Sequence, residues 1–566
     1  MPIIIVLFSV ISLSATAGCA AEDGDQNPET STPTPTTTVV VPSLPTPFTG
    51  LPLPSENADL FSTSGACTSC HAHMIDESAN DVSTDTLWRA TMMANAARDP
   101  YWQASVRAEV LTNPALGDVI EDKCATCHMP MARFTAIVNE QETNVLDTGF
   151  LSSENDLHVL AMDGVSCTLC HQIEADGFGQ ATSFSGGFVI DPDLPTGERL
   201  NFGIYPVDER QTAIMQGASG FIPVESIHVT QSELCATCHT LYTPYVDAQG
   251  NIVGEFPEQM AYFEWLNSDY RNNRSCQNCH MPEAAGGVRL SITGGELRNP
   301  FARHVFVGGN AYVLNLMSYF GEEMGATAST VHFQNKIGNV TEQLEYTTAT
   351  IALEETVVSN SRLMADVVIT NNTGHKFPTG FPSRRAWIHF SVYDSSGQLI
   401  SESGAPNPDG SIAGNDNDVD PTHYEEHHQS IESPDQVQIY ESIMIDTDGR
   451  VTTTLLFGSG YIKDNRLLPL GFDKNVTNED IAVKGQASND ENFVGGSNRI
   501  HYDVDLGESQ GPFTIEVELL YQSIGYRWAE NLRTHQAPEV ARFIGYYDAV
   551  PNLPIVVASE TAYVET

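Results

Sequence analysis

Positive charge is what this 566-residue chain most lacks: 26 Lys and Arg stand against 73 Asp and Glu, a formal net charge of −47. Binding nucleic acid through phosphate contacts requires Lys and Arg, so that function class is excluded. Cationic partners are favoured, as is a salty medium that screens self-repulsion. Long apolar runs are missing too. The run from Ile3 to Leu13 is too short to span a bilayer, and small residues follow it up to Ala17-Gly18-Cys19; it reads as an export signal. Cysteine is sparse, 11 in all, and none occurs after Cys279. The C-terminal half therefore carries no group attached through sulfur.

Ten of the 11 cysteines fall in five copies of Cys-x-x-Cys-His: Cys67-Thr-Ser-Cys70-His71, Cys124-Ala-Thr-Cys127-His128, Cys167-Thr-Leu-Cys170-His171, Cys235-Ala-Thr-Cys238-His239 and Cys276-Gln-Asn-Cys279-His280. This is the attachment signature for haem c. The two thiols form thioethers to the vinyl groups, and the next histidine is placed under the iron as an axial ligand. A lone Cys-x-x-Cys would leave a redox dithiol or half a zinc site open. A His after every pair, with no motif Cys left over, sets aside zinc and a disulfide framework. The expected cofactor is five covalent haems c. The first cysteines are 57, 43, 68 and 41 residues apart, so the motifs are not equal repeats. With so little chain per haem the porphyrins must lie close together, which suits electron conduction.

The pattern along the chain predicts a multidomain α + β protein. Residues 1–18 form the export signal. Residues 19–50 form a Thr/Pro-rich tether, including Thr30-Ser-Thr-Pro-Thr-Pro-Thr-Thr-Thr, that can bury no core. Residues 51–345 form a helix-and-loop five-haem domain, with helices expected over Thr84–Ala97 and Tyr101–Leu111. Residues 346–566 form an antiparallel β-sandwich. There Leu363, Ala365, Val367 and Ile369 alternate with other side chains, as do Ala386, Ile388, Phe390 and Val392, and Phe513, Ile515, Val517 and Leu519. Asp394-Ser-Ser-Gly397 and Asp446-Thr-Asp-Gly449 read as turns. Asp416, Asp418 and Asp420 alternate in a way that hints at calcium. The Gly and terminal Glu of an EF-hand are missing, so a solvated acidic loop is the reading.

An electron-transfer haem takes two protein ligands, so five distal ligands are needed. Twelve histidines lie outside the motifs. His158 and His228 precede the third and fourth motifs, and His304 follows the fifth, so these are candidate ligands. His73 lies on the wrong side of its own iron. His389 belongs to the outer face of a strand, and His423, His427, His428, His501 and His535 lie in polar segments. His332 falls in an expected helix without an assigned role.

Several segments resemble known families. Cys19 after Ala-Gly resembles the lipobox of bacterial lipoproteins, which implies a lipidated Cys19 and a membrane anchor; Thr16 and the lack of a preceding Lys or Arg depart from that pattern, and an ordinary secretory signal is the alternative. Trp88-Arg-Ala-Thr-Met92-Met93 resembles Trp-x-x-Ser-x-His in multihaem cytochromes of the cytochrome c-554 type. There the closing His is a distal ligand, so the resemblance implies Met93 in that role, with Met92 as fallback. Cys276-Gln-Asn-Cys279-His280-Met-Pro, His304-x-Phe-x-Gly-Gly-Asn and Gly374-His375-Lys-Phe-Pro-Thr-Gly380-Phe-Pro-Ser-Arg-Arg385 are also similar to proteins of this group. Counting Met93, His158, His228 and His304 leaves one iron short. His375, in a stiff loop with Pro378 and Pro382, is the candidate that completes it.

The function these readings predict is electron transfer by a lipid-anchored five-haem wire, exported and facing the periplasm or cell surface. Its partners would be redox proteins with cationic docking patches. Two alternatives stay open: a reductase of small nitrogen or sulfur oxyanions, and a subunit of an extracellular cytochrome filament. Against the first, no Cys-x-x-Cys-Lys occurs and the surface charge repels oxyanions. Against the second, a lipid anchor and tether suit a polymerising subunit poorly.

Overall fold

The alternating stretches form strands because every second side chain finds the same apolar interior. The computed structural model describes residues 46–475 and 478–565. Cys19 and most of the tether lie outside them. Nine strands form two sheets: β1 (Ala349–Ser359), β2 (Arg362–Asn371), β3 (Arg385–Tyr393), β4 (Leu399–Ser403), β5 (Ser430–Ile431), β6 (Ile439–Tyr440), β7 (Ser497–Asp505), β8 (Phe513–Gln522) and β9 (Ile555–Val564). One sheet runs β4-β3-β8-β9 with β6 also on β3, and the other runs β5-β7-β2-β1. All these pairs are antiparallel except β5 with β7, which is parallel. Leu363, Val367, Ile388, Phe390, Ile515 and Val517 share one core. Across the two sheets the Phe390 and Tyr502 rings stack with centroids 4.0 Å apart.

No linker marks the expected boundary at residue 345. The helix Thr330–Gln343 passes through a π-turn, Leu344–Thr348, straight into β1. Tyr101, Leu314 and Phe333 from the motif-bearing region enter the same core as the sheets, and Arg107 pairs with Glu539 at 2.9 Å. Pro42–Thr566 is a single unit by its contacts.

The helix expected over Tyr101–Leu111 is Pro100–Thr112, with Asp99 as N-cap accepting from the Tyr101 and Trp102 amides at 2.9 and 3.2 Å and Pro100 in its first turn. The helix expected over Thr84–Ala97 stops at Trp88. Polar side chains there compete for the backbone. Asn95 Nδ2 donates to the carbonyls of Arg89 and Thr91, both at 2.9 Å, and Thr91 Oγ1 accepts from the Ala94 amide at 3.1 Å.

Candidate functional site

Each motif lies on or at the end of a short helix: Ser64–Thr68, Gly117–His128, Cys167–Cys170, Ser232–His239 and Cys276–His280. Helical spacing puts Cys i, Cys i+3 and His i+4 on one face, as a group held at three points requires. Pro130 and Pro282, two residues beyond His128 and His280, force the preceding residue out of the helical region and end the helix at the histidine. All ten motif sulfurs are partly buried.

Four of the five motif histidines are anchored alike. Nδ1 donates to a backbone carbonyl: His71 to Leu290 at 2.8 Å, His128 to Ala96 at 2.9 Å, His171 to Phe202 at 2.6 Å and His280 to Val307 at 2.5 Å. A carbonyl can only accept, so in the neutral ring the Nε2 lone pair is left for a metal, the arrangement usual for metal-bound histidine. Burial keeps these rings neutral, pushing His128 down to about 4 against the weaker pull of the Ala96 carbonyl. His239 is reachable by solvent yet ringed by protein, which pushes it down to about 4. Trp102 stacks flat on His128, centroids 4.3 Å apart and planes 4° apart.

Two motif histidines face a second imidazole. His171 and His304 have ring centroids 6.4 Å apart and planes within 24°. His280 and His375 are 6.2 Å apart and within 12°. A metal–imidazole bond is about 2.0 Å, so two rings on opposite sides of one metal have centroids about 6.3 Å apart. The spacing of both pairs matches that value, and the residues present fit iron-centred haem c. His375 repeats the motif pattern, its Nδ1 donating to the Lys376 carbonyl at 2.8 Å.

The other candidate ligands are placed differently. His158 donates Nδ1 to the Phe150 carbonyl at 3.0 Å, the same anchoring. His228 sits between Phe178 and Phe202 with both nitrogens engaged, Nδ1 with Ser226 Oγ at 2.6 Å and Nε2 with the Ile173 carbonyl at 2.8 Å; as placed, it offers no free nitrogen. Met93 is half-buried in the turns after Trp88, and its carbonyl accepts from the Val165 amide at 3.0 Å. That puts the segment beside the third motif. Met92 packs against the main core. His332 caps its own helix, Nδ1 meeting the Ser329 amide at 3.1 Å. His389 and His427 have both nitrogens bonded to side chains. Calcium is not supported: Asp418 is taken by Arg385, both oxygens at 2.9 Å, and among the described residues no group of three His, Cys, Asp or Glu could hold a metal ion.

The motifs touch one another. Cys67 lies beside Cys167, Cys127 beside Cys238, and Cys235 beside Cys276. Backbone contacts agree: the Cys276 amide donates to Ser232 Oγ at 3.1 Å, and the Ser62 amide to Thr168 Oγ1 at 3.2 Å. Gly186 donates to the Thr237 carbonyl at 2.6 Å while its α-carbon faces Thr126, where a side chain would collide. Sequence reasoning missed Trp102 and the buried Glu264, for neither of which spacing gives a signal.

No family model and no curated protein matches this chain. Among solved structures it is similar to a penta-haem cytochrome c552 from Thermochromatium tepidum, at 14% identity over 85% of this chain and 96% of that one, with a TM-score of 0.46.

Proposed function

We propose that this chain is a five-haem c-type cytochrome that carries electrons between a periplasmic or membrane donor and an acceptor at the outer membrane or beyond. The observation that carries the reading is the pair of imidazole facings, His171 with His304 and His280 with His375, at the separation one metal sets, in a chain whose five motifs supply ten thiols. Bound haem c would supply reversible one-electron chemistry.

The residues hold and insulate. Cys67 and Cys70, Cys124 and Cys127, Cys167 and Cys170, Cys235 and Cys238, and Cys276 and Cys279 would form the thioethers, with His71, His128, His171, His239 and His280 beneath. His304 and His375 close two distal positions, and His158 is anchored to close a third. The motif contacts run from the first to the third and from the fourth to the second and fifth. Cys170, which lies near Cys238, joins the third motif to the fourth. The five sites therefore form one connected set. Cys19 would carry a lipid and the residues after it would space the body from the membrane; the expected tether end at residue 50 is too late, because Phe48 already packs on Phe333 and its amide donates to Thr330 Oγ1 at 3.0 Å. Among the described residues no helix is long and apolar enough to cross a membrane.

The test is to reduce the purified protein and follow reoxidation by a ferric chelate and by nitrite, hydroxylamine and sulfite in turn. Rapid oxidation by the chelate, without sustained turnover of the others, is expected. Multiple turnovers of an oxyanion would replace the carrier reading with a reductase.

A further inference from the structure

Behind His375 four charged side chains are packed out of water. Lys376 and Glu264 are 0% exposed, Asp464 2% and Arg466 7%. Lys376 Nζ lies 2.7 Å from Asp464 Oδ2; Arg466 binds the two oxygens of Asp464 at 2.8 and 2.7 Å and reaches Glu264 Oε1 at 2.9 Å. Two cations and two anions cancel. Each buried ion costs several kcal/mol to desolvate, and a well-packed apolar cluster would stabilise as well or better. What such a lattice supplies is fixed geometry.

The geometry it fixes is that of the backbone at His375 and Lys376. Glu264, on the helix Ala261–Leu266, accepts from the Lys376 backbone amide at 3.1 Å and from Thr379 Oγ1 at 2.5 Å. The carbonyl of Lys376 accepts the Nδ1–H of His375 at 2.8 Å. The His375 carbonyl is itself held by Asn371 Nδ2 at 3.0 Å and Thr373 Oγ1 at 2.8 Å. The ring is thus tied to the backbone of the next residue, and that backbone is tied to a carboxylate rooted near the fourth and fifth motifs.

We propose that Glu264 is the positioning residue for His375: it locks the 375–379 loop onto the motif-bearing region and places the negative charge that balances Arg466 beside that site. This rests on the reading of His375 as the ligand opposite His280. Glu264 touches no iron and acts through His375.

Three variants of the full haem-loaded protein test it, read by carbon monoxide binding and by redox titration. Glu264→Ala removes both the anchor and the charge, and one haem in five should gain carbon monoxide binding. Glu264→Gln keeps an acceptor for the Lys376 amide and Thr379 but leaves Arg466 short of a counter-charge. Its haems should stay low-spin while one midpoint potential rises, since lost negative charge disfavours ferric iron. His375→Ala is the control: if it creates no carbon monoxide-binding haem, the ligand reading itself fails. If it does, while Glu264→Ala binds none and Glu264→Gln shifts no potential, the positioning role is overturned. Should Glu264→Ala fail to accumulate, the potential of Glu264→Gln decides alone.

Discussion

Replacing His375 and His304 with alanine, singly and together, gives the most quantitative expectation. Each faces a different motif histidine, at 6.2 and 6.4 Å, so each variant should open one site of five. Carbon monoxide binding should then rise over that of the parent by about one fifth of the reduced haem in either single variant, and by about two fifths in the double, because separate sites add. The cost in stability follows from what each ring touches. His375 loses one hydrogen bond to the Lys376 carbonyl, worth about 1 kcal/mol, plus packing worth about 2–4 kcal/mol for a large-to-small change. Against the roughly 5–15 kcal/mol of a typical fold, both variants should still mature. His375→Met should instead stay six-coordinate with one raised potential. The assay is carbon monoxide difference spectroscopy on protein whose haem content is measured first. A spectrum unchanged from the parent's in fully loaded His375→Ala would refute the assignment, and a rise well above one fifth would show that neighbouring sites had been lost with it.

Other perturbations separate charge from packing. Burial alone would raise the Asp464 pKa, but Arg466 and Lys376 outweigh it and hold the carboxyl far below the usual range. Its folded pKa is depressed, so it contributes stability above the unfolded value that is lost as pH falls. Asp464→Asn should cost about 3–5 kcal/mol at neutral pH, as breaking a buried pair does, and flatten the acid limb of a denaturation series; loss of under 1 kcal/mol would contradict the lattice. Glu109 behaves oppositely. Burial pushes it up to about 7 despite the Leu455 and Leu456 amides. The folded state therefore holds the proton longer than the unfolded one, and stability falls as pH rises from about 4.5 towards 7. Glu109→Gln should remove roughly 3 kcal/mol of that decline, measured by denaturant midpoints at pH 5 and pH 8; an unaltered pH profile would count against it.

The five motifs were legible because thioether attachment needs particular residues at a spacing that a short helix satisfies. The strands were legible because Leu363, Ala365, Val367 and Ile369 repeat with the period of a half-buried sheet. Two failures have local physical causes. The helix expected past Trp88 gives way because Asn95 and Thr91 satisfy the backbone from the side. His228, well placed in sequence, spends both nitrogens on Ser226 and Ile173. The Ile173 bond does not follow from spacing, since it depends on a segment the fold brings in from elsewhere in the chain. Glu264 was invisible for the same reason, its partners Lys376 and Arg466 lying more than a hundred residues away. The merging of the two regions into one core could not be read from residue 345, where the period changes without a linker.

The most direct test of the central claim is the intact mass of the mature protein under denaturing conditions, read with a titration of free thiols. The account predicts the processed chain plus five haems, any lipid aside, and no reactive thiol among the ten motif cysteines. Four or fewer haems in fully matured protein, with a matching pair of thiols free, would contradict it.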